Sequence, residues 1–190
     1  MKAKQIVITG ALSSLALLLT GCLASSIYPF YSEKDVTFEP ALIGQWNKVG
    51  DAQEKWVFEK KQDQAYSLTY TDGKKSYKMD AHLFRLKDQL FFDLFNPELP
   101  EDLMPPPAPT HLLLRVFQVK PTVRLAALDY DWLAKLIEKD PGAIRHHSIG
   151  EDSKNAQIVL TADTPELQKF VLRHLKTEEA WKDPFELEKR

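Results

Sequence analysis

Five histidines and a single cysteine are the imidazole and thiolate side chains of this chain that could hold a metal ion. Zinc and similar ions take imidazole or thiolate ligands at characteristic spacings, such as His-x₃-His or paired cysteines. His146 and His147 are adjacent, so in a helix or a strand their side chains point in different directions. His82, His111 and His174 follow no ligand spacing. We therefore predict no metal site.

Motifs for nucleophilic and phosphate chemistry are absent as well. The chain has neither a Gly-x-Ser-x-Gly elbow nor a Ser-x-x-Lys pair, and its seven glycines form no phosphate-binding loop. Asp129 and Asp131 stand at a predicted helix start, where capping explains them. Glu178 and Glu179 are predicted to lie on a solvated helix face. We predict no catalytic residue and no cofactor, and hence a protein that is not an enzyme.

The single cysteine has a different explanation. Two lysines precede a mostly apolar run, residues 6–19, which has the length of a signal-peptide core and is shorter than the roughly 20 residues of a membrane-spanning helix. The run ends in Leu19-Thr20-Gly21-Cys22, which resembles the lipobox of bacterial lipoproteins. The resemblance implies cleavage between Gly21 and Cys22 and a diacylglycerol on the Cys22 thiol. The alternative is an ordinary secretory signal and an incidental buried cysteine.

A lipidated Cys22 predicts where the protein resides. One acyl chain binds a membrane only marginally, whereas two or three chains hold a protein there stably. We therefore expect a protein that is lipid-anchored at the cell membrane and faces the periplasm, with the membrane as its partner through Cys22. Leu23 is not acidic, which in lipoproteins of this kind permits export, so the outer membrane is favoured if the bacterium has two membranes.

Length and charge limit the remaining possibilities. A chain of 190 residues suffices for one ordinary domain, and a net charge of −2 without a basic block argues against a nucleic-acid partner. We expect a cleaved signal peptide over 1–21, a lipidated cysteine and tether over 22–40, and one globular domain over 41–190. The aromatic segment Tyr28-Pro29-Phe30-Tyr31 either lies at the membrane interface or packs back onto the domain.

Alternating apolar residues predict strands over the first part of the domain, 41–128. This period-two pattern is typical of strands with one buried face, and Asp72-Gly73 is a signal for a tight hairpin turn. The alternation is seen in Trp56 and Phe58, in Tyr66, Leu68 and Tyr70, and in Met79, Ala81 and Leu83. Further strands are predicted for the runs 90–95, 111–119 and 122–128. Short turns between these runs predict an antiparallel meander.

The second part, 129–190, is predicted to hold two helices and one strand over 157–161. Asp131 is a plausible N-cap for the first helix, and Thr164-Pro165-Glu166 opens the second, which is amphipathic. The predicted fold class is α+β, an antiparallel β-meander of about six to seven strands with two C-terminal helices covering one face or edge.

The tripeptide Gly44-Gln45-Trp46 precedes the first alternating run. It resembles the opening of lipocalins and related calycin barrels, whose first strand begins with Gly-x-Trp. The resemblance implies an alternative fold, a lipocalin-like barrel with an apolar ligand inside. A turn glycine followed by a core tryptophan is the other interpretation. The stretch from Pro29 to Trp46 also looks like small bacterial envelope lipoproteins, a likeness that implies no activity.

Candidate contact residues follow from these patterns. Trp46, Tyr66 and Tyr70 are aromatic residues of the predicted sheet, and Pro105, Pro106 and Pro107 belong to a proline-rich stretch that either presents a polyproline II surface or forms a rigid loop.

Three functions are consistent with the sequence. The first is a non-catalytic, lipid-anchored binding or scaffolding module with an envelope protein as its partner. The second is a carrier or sensor of an apolar small molecule. The third is an envelope enzyme built from dispersed residues, for which His111, His146 and His147 are the first candidates.

Overall fold

The computed structural model describes residues 24–62, 64–95, 110–149 and 157–190. The lipobox residues Gly21 and Cys22 lie outside the described residues, as do Pro105, Pro106 and Pro107. The described residues form eleven β-strands, two α-helices and three short 3₁₀ helices.

The strands are almost entirely antiparallel and join into one sheet. In chain order they are β1 (Ser25–Ser26), β2 (Gly44–Lys48), β3 (Asp51–Lys60), β4 (Tyr66–Asp72), β5 (Lys75–Leu86), β6 (Gln89–Phe95), β7 (His111–Gln118), β8 (Val123–Ala127), β9 (His146–Ile149), β10 (Gln157–Leu160) and β11 (Phe185–Lys189). The helices are α1 (Tyr130–Lys139) and α2 (Thr164–Arg173).

Eight of the strands close into a barrel. Strands β2 to β8 pair in chain order, and β11 pairs with β8 on one side and with β2 on the other. Leu187 of β11 lies opposite both Val123 and Lys48. The antiparallel order of consecutive strands and the two C-terminal helices are confirmed, but the sheet does not stay an open meander of six to seven strands. The barrel alternative therefore fits better.

One end of the barrel is closed by the 3₁₀ turn Pro40–Leu42, which leads into β2. Leu42 is fully buried among the residues of the barrel interior, and the indole Nε1 of Trp46 donates to its carbonyl oxygen at 2.7 Å. Lys189 of β11 also contacts the 3₁₀ turn and Trp46. Its Nζ is 5.2 Å from the centroid of a Trp46 ring and donates to the Ala41 carbonyl oxygen at 3.0 Å. We call this the closed end.

The helices pack against the outer wall of the barrel and cover a second apolar core. Helix α1 buries Leu133 and Ile137, while α2 buries Leu167, Phe170 and Val171. These apolar positions recur at helical spacing, which places them on one face of each helix.

The cap of α1 differs from the expected one. The Asp129 side chain accepts a hydrogen bond from the Trp132 backbone N–H at 2.7 Å, so Asp129 is the N-cap and the prediction of Asp131 was wrong. An N-cap side chain bonds the second or third N–H of the helix, and Trp132 is the third residue of a helix that begins at Tyr130.

The segment that precedes the barrel also packs on the outer wall. Strand β1 pairs with β7 and with β10, which extends the sheet outside the barrel. Phe30 is fully buried and Tyr31 stacks on His82 with ring centroids 4.4 Å apart, whereas Tyr28 is 46% exposed. Of the two interpretations of this aromatic segment, packing onto the domain therefore describes Phe30 and Tyr31.

Candidate functional site

The two ends of the barrel are built differently. At the closed end, three fully buried aromatic rings fill the interior: Phe58 stacks on Phe92 with centroids 5.5 Å apart, and Tyr66 meets both edge-on at 6.0 Å. The half-buried Phe38 stacks on Tyr66 from outside at 4.9 Å. Rings at these separations are in contact. This half of the interior is a packed core.

The Tyr66 hydroxyl has partners in that core. Its Oη accepts from the Glu39 backbone N–H at 2.7 Å and lies 3.2 Å from the Glu39 carbonyl oxygen, to which it donates. Burial raises the pKa of Tyr66 to about 12. Tyr66 thereby connects the barrel interior to Glu39, the residue that precedes the 3₁₀ turn Pro40–Leu42.

The opposite end carries the turns after β2 and after β4, and we call it the mouth. Trp56 and Tyr70 lie opposite each other on β3 and β4, with ring centroids 5.3 Å apart. Phe185 lies 5.8 Å from Trp56, and Tyr77 stacks on Tyr70 at 6.2 Å. Tyr77 and Phe185 are only half-buried. Solvent therefore reaches the aromatic wall of the mouth.

A buried ion pair lies inside this wall. The Lys48 Nζ is 2.8 Å from Glu54 Oε2, and the indole Nε1 of Trp56 donates to Glu54 Oε1 at 3.1 Å. The Lys48 and Glu54 side chains are only 15% and 4% exposed. Glu54 alternates with Trp56 along β3, which directs both side chains inward. Both carboxylate oxygens therefore have partners.

The hydroxyl of Tyr70 forms no hydrogen bond with any described residue, although only 1% of the Tyr70 surface is exposed. Burial raises the pKa of Tyr70, and the nearby carboxylates of Glu54, Asp72 and Asp51 raise it further. The phenol is therefore protonated at neutral pH and carries an unused O–H donor. A buried polar group without a partner costs about 1–3 kcal/mol.

Three other buried side-chain atoms without a partner are found among the described residues: Ser25 Oγ, Ser67 Oγ and His82 Nδ1. Ser25 belongs to β1, outside the barrel. Ser67 and His82 alternate with the inward-facing residues of β4 and β5, so they lie on the outer side of the wall. Tyr70 is thus the residue of this group that faces the interior.

The structure places Trp46, Tyr66 and Tyr70 in one interior, at different depths. The Trp46 indole N–H and the Tyr66 hydroxyl form hydrogen bonds with the protein backbone. The Tyr70 hydroxyl forms none among the described residues. The sequence analysis missed Lys48 and Glu54. Lys48 stands two residues after Trp46, and Glu54 stands two residues before Trp56. The period-two pattern therefore predicts that each charged side chain lies on the inner face of its strand.

A second polar cluster lies on the outer wall. Asp93 is fully buried, accepts from the Phe30 backbone N–H at 2.8 Å, and lies 2.7 Å from His111 Nδ1. Next to it, burial lowers the pKa of His82, which holds the ring neutral against Tyr31. These contacts fasten the segment before the barrel onto the wall.

The three histidines proposed for dispersed catalysis are not brought together. His146 lies three strands from His111 across β10 and β1, roughly 14 Å at the usual strand spacing. His147 follows His146 on β9. Within the described ranges, no group of three His, Cys, Asp or Glu residues could hold a metal ion.

A cleft of about 660 Å³ lies between the outer wall and the chain after α2. Phe117 of β7 is 38% exposed there, and two guanidinium carbons flank its ring: Arg115 Cζ at 4.5 Å and Arg124 Cζ at 5.3 Å from the centroid. Arg115 itself is fixed by hydrogen bonds to Gln89 and to the Leu175 carbonyl. The cleft thus presents an aromatic ring between two cations.

Comparison with known proteins found no family model, no curated protein and no solved structure that matches this chain. The site is therefore interpreted from its own geometry. The helices in the described part of the chain are too short and too polar to cross a lipid bilayer.

Proposed function

We propose that this protein is a lipid-anchored, non-catalytic envelope protein that carries or senses a small apolar molecule in the mouth half of its barrel. The observation that carries the proposal is the unused Tyr70 hydroxyl inside a closed eight-stranded barrel. Barrels of this size are filled by side chains or hold one small ligand. Ligand sites combine apolar walls with a few polar groups, as the mouth half does.

A lipocalin-like arrangement is part of the proposal. Gly44-Gln45-Trp46 begins β2, and the 3₁₀ turn lies beneath it. The hydrogen bond from Trp46 to Leu42 and the position of Lys189 keep this end closed. A ligand then enters from the mouth, where Tyr77, Leu112, Ala127 and Phe185 are half-buried.

The proposed lipid anchor on Cys22 would keep this barrel beside a membrane, with cleavage after Gly21. Cys22→Ser tests the anchor alone. The variant is expected to leave the membrane fraction on a high-salt wash, while the unaltered protein stays. Retention of the variant would mean that the acyl chains are not what holds the protein there.

Native mass spectrometry tests the carrier function. Residues 22–190 carrying Cys22→Ser are secreted to the periplasm and purified gently, and we expect a discrete added mass from a bound small molecule. Ala127→Trp fills the mouth and is expected to remove that mass. Val49→Trp is the matched control, because it adds the same side chain at an exposed turn beside the mouth. A bare chain in all three samples argues against a carrier.

The outer cleft favours a second candidate function, a binding or scaffolding module for an envelope protein. An exposed Phe117 between two arginines has the composition of an interaction hot spot. A photo-crosslinking residue at position 117 is expected to capture one discrete protein in cells, and the same residue at the exposed position 59 of β3 is not. Equal labelling at both positions would reject this candidate.

A further inference from the structure

We infer that the polar end of the ligand is an uncharged hydrogen-bond acceptor, such as the oxygen of an alcohol, ester or amide, seated on the Tyr70 hydroxyl. This inference rests on the proposed function, since it concerns the same half of the barrel. It goes further in assigning the chemical class of the ligand and its orientation.

The Tyr70 hydroxyl is a hydrogen-bond donor inside the barrel. Tyr70 Oη has no partner among the described residues, while Tyr66, on the same strand, has two contacts with Glu39. The described residues offer this buried, protonated phenol no acceptor, so a group that enters the barrel can supply one. That entering group has to be an acceptor.

The charges around Tyr70 exclude an anionic end. Lys48 and Glu54 neutralise each other at 2.8 Å, and so leave no net positive charge to hold a carboxylate. Glu54, Asp72 and Asp51 all act on the Tyr70 hydroxyl as negative charges. An anion buried here would lack a cation of its own, which is costly.

A cationic end does not fit the donor. An ammonium group has no lone pair to accept the Tyr70 hydrogen. Both oxygens of Glu54 are also engaged already, one by Lys48 and the other by Trp56. A cation would therefore leave the Tyr70 hydroxyl unpaired and would compete with Lys48.

The filled closed end limits the apolar part of the ligand. Phe58, Tyr66 and Phe92 are in mutual contact, so a long chain cannot extend past them without repacking the core. The apolar part then packs against the half-buried rings of Tyr77 and Phe185 at the mouth, while the polar end points to Tyr70. A short chain or a single ring meets this condition.

Isothermal titration calorimetry with three eight-carbon probes tests the inference at neutral pH. 1-Octanol, octanoate and octylammonium share a chain and differ in their polar end. We expect 1-octanol to bind at least tenfold more tightly than either ion. Tyr70→Phe is expected to weaken 1-octanol about fivefold, the range of one neutral hydrogen bond. Tyr77→Phe, which removes a hydroxyl from the neighbouring ring, is expected to change it less than twofold.

Each other outcome has a distinct meaning. Tighter binding of octanoate or octylammonium overturns the uncharged polar end and leaves the carrier function standing. An unchanged affinity of Tyr70→Phe for 1-octanol overturns the role of Tyr70. Failure of all three probes to bind the unaltered barrel contradicts the proposed function itself.

Discussion

Asp93 and Glu54 are both buried carboxylates, and they lie on opposite sides of the same barrel wall. Asp93 faces outward and is bonded to the Phe30 backbone and to His111, which fastens the segment before the barrel. Glu54 faces inward and is bonded to Lys48 and Trp56, yet Tyr70 beside it keeps a free donor. The hydrogen bonds of Asp93 join two segments of the chain, so this carboxylate stabilises the fold. Beside Glu54, the Tyr70 hydroxyl lacks a partner among the described residues, and this is where we propose that a ligand binds.

The largest expected effect is on the outer wall. Asp93→Ala leaves the Phe30 N–H buried without its acceptor and deprives His111 of its partner. We expect the free energy of unfolding to fall by about 3–5 kcal/mol, because two hydrogen bonds to a charged acceptor are lost and the Phe30 N–H stays buried. Urea denaturation measures it. Asp80→Ala is the control, since the Asp80 contact with Lys61 is exposed and worth at most about 1 kcal/mol. Equal losses in the two variants would remove the structural role of Asp93.

Inside the barrel, the ion pair between Lys48 and Glu54 can be broken or replaced. Lys48→Met leaves Glu54 buried without its cation, and we expect a loss of about 2 kcal/mol, less than for Asp93 because Lys48 is partly exposed. Adding Glu54→Gln removes the remaining charge and keeps an oxygen acceptor for the Trp56 indole N–H, and is expected to restore stability to within about 1 kcal/mol. A double variant that is less stable than Lys48→Met would show that the pair is needed for the fold.

A smaller effect depends on pH. Burial lowers the pKa of His82 below its ordinary value of 6.5, so the folded protein favours the neutral ring. This stabilisation is present above the unfolded pKa and is lost as the pH falls below it, because the unfolded chain takes up the proton more readily. The free energy of unfolding should therefore fall between pH 7.5 and 5, and it should fall less in His82→Phe.

His174 contributes to the same pH dependence, because burial lowers its pKa as well. His174→Phe should therefore reduce the loss of stability independently of His82→Phe. A loss at low pH that neither substitution changes would exclude both histidines as its source.

The smallest effects come from two hydroxyls. Tyr66→Phe removes the contacts with Glu39 and is expected to lower the free energy of unfolding by about 1–2 kcal/mol. Tyr70→Phe removes an unpaired donor and is expected to leave stability unchanged or to raise it by up to about 1 kcal/mol. The two variants delete the same atom from the same strand. A loss for Tyr70→Phe as large as that for Tyr66→Phe would mean that the Tyr70 hydroxyl is structural.

Much of the fold could be predicted because local patterns determine it. The runs at 90–95, 111–119 and 122–128 were predicted and form β6, β7 and β8, with ends that differ by one residue. Their apolar runs and short turns were sufficient to predict strands. That β6 is buried on both faces, with Phe91 on the outer wall and Phe92 in the interior, was not predicted.

Barrel closure could not be predicted from local patterns. It depends on β11, the five residues Phe185–Lys189, which pair with partners more than fifty residues away. The strand is short and rich in charge, so its alternation alone does not distinguish a strand from a tail. The hairpin after β4 shows the same limit at small scale: Gly73 has the positive φ of 58°, but the turn residues are Gly73-Lys74 and not Asp72-Gly73.

The sequence predicted the aromatic residues of the candidate site but not their hydrogen bonds. Trp46, Tyr66 and Tyr70 were predicted as contacts from their type, but their type does not tell that Trp46 and Tyr66 use their polar atoms for structure while Tyr70 does not. That difference arises from Leu42 and Glu39, which the fold brings to Trp46 and Tyr66. No equivalent acceptor reaches Tyr70 among the described residues.

The indole N–H signals of the protein test the central claim most directly. Trp56 donates its N–H to Glu54 inside the mouth, whereas Trp181 donates to the His174 carbonyl on the outer wall. In a ¹⁵N-labelled sample titrated with 1-octanol, we predict that the Trp56 indole signal shifts and saturates while the Trp181 signal stays in place. A shift of Trp181 alone would place binding on the outer wall and contradict the claim that the barrel interior is the site.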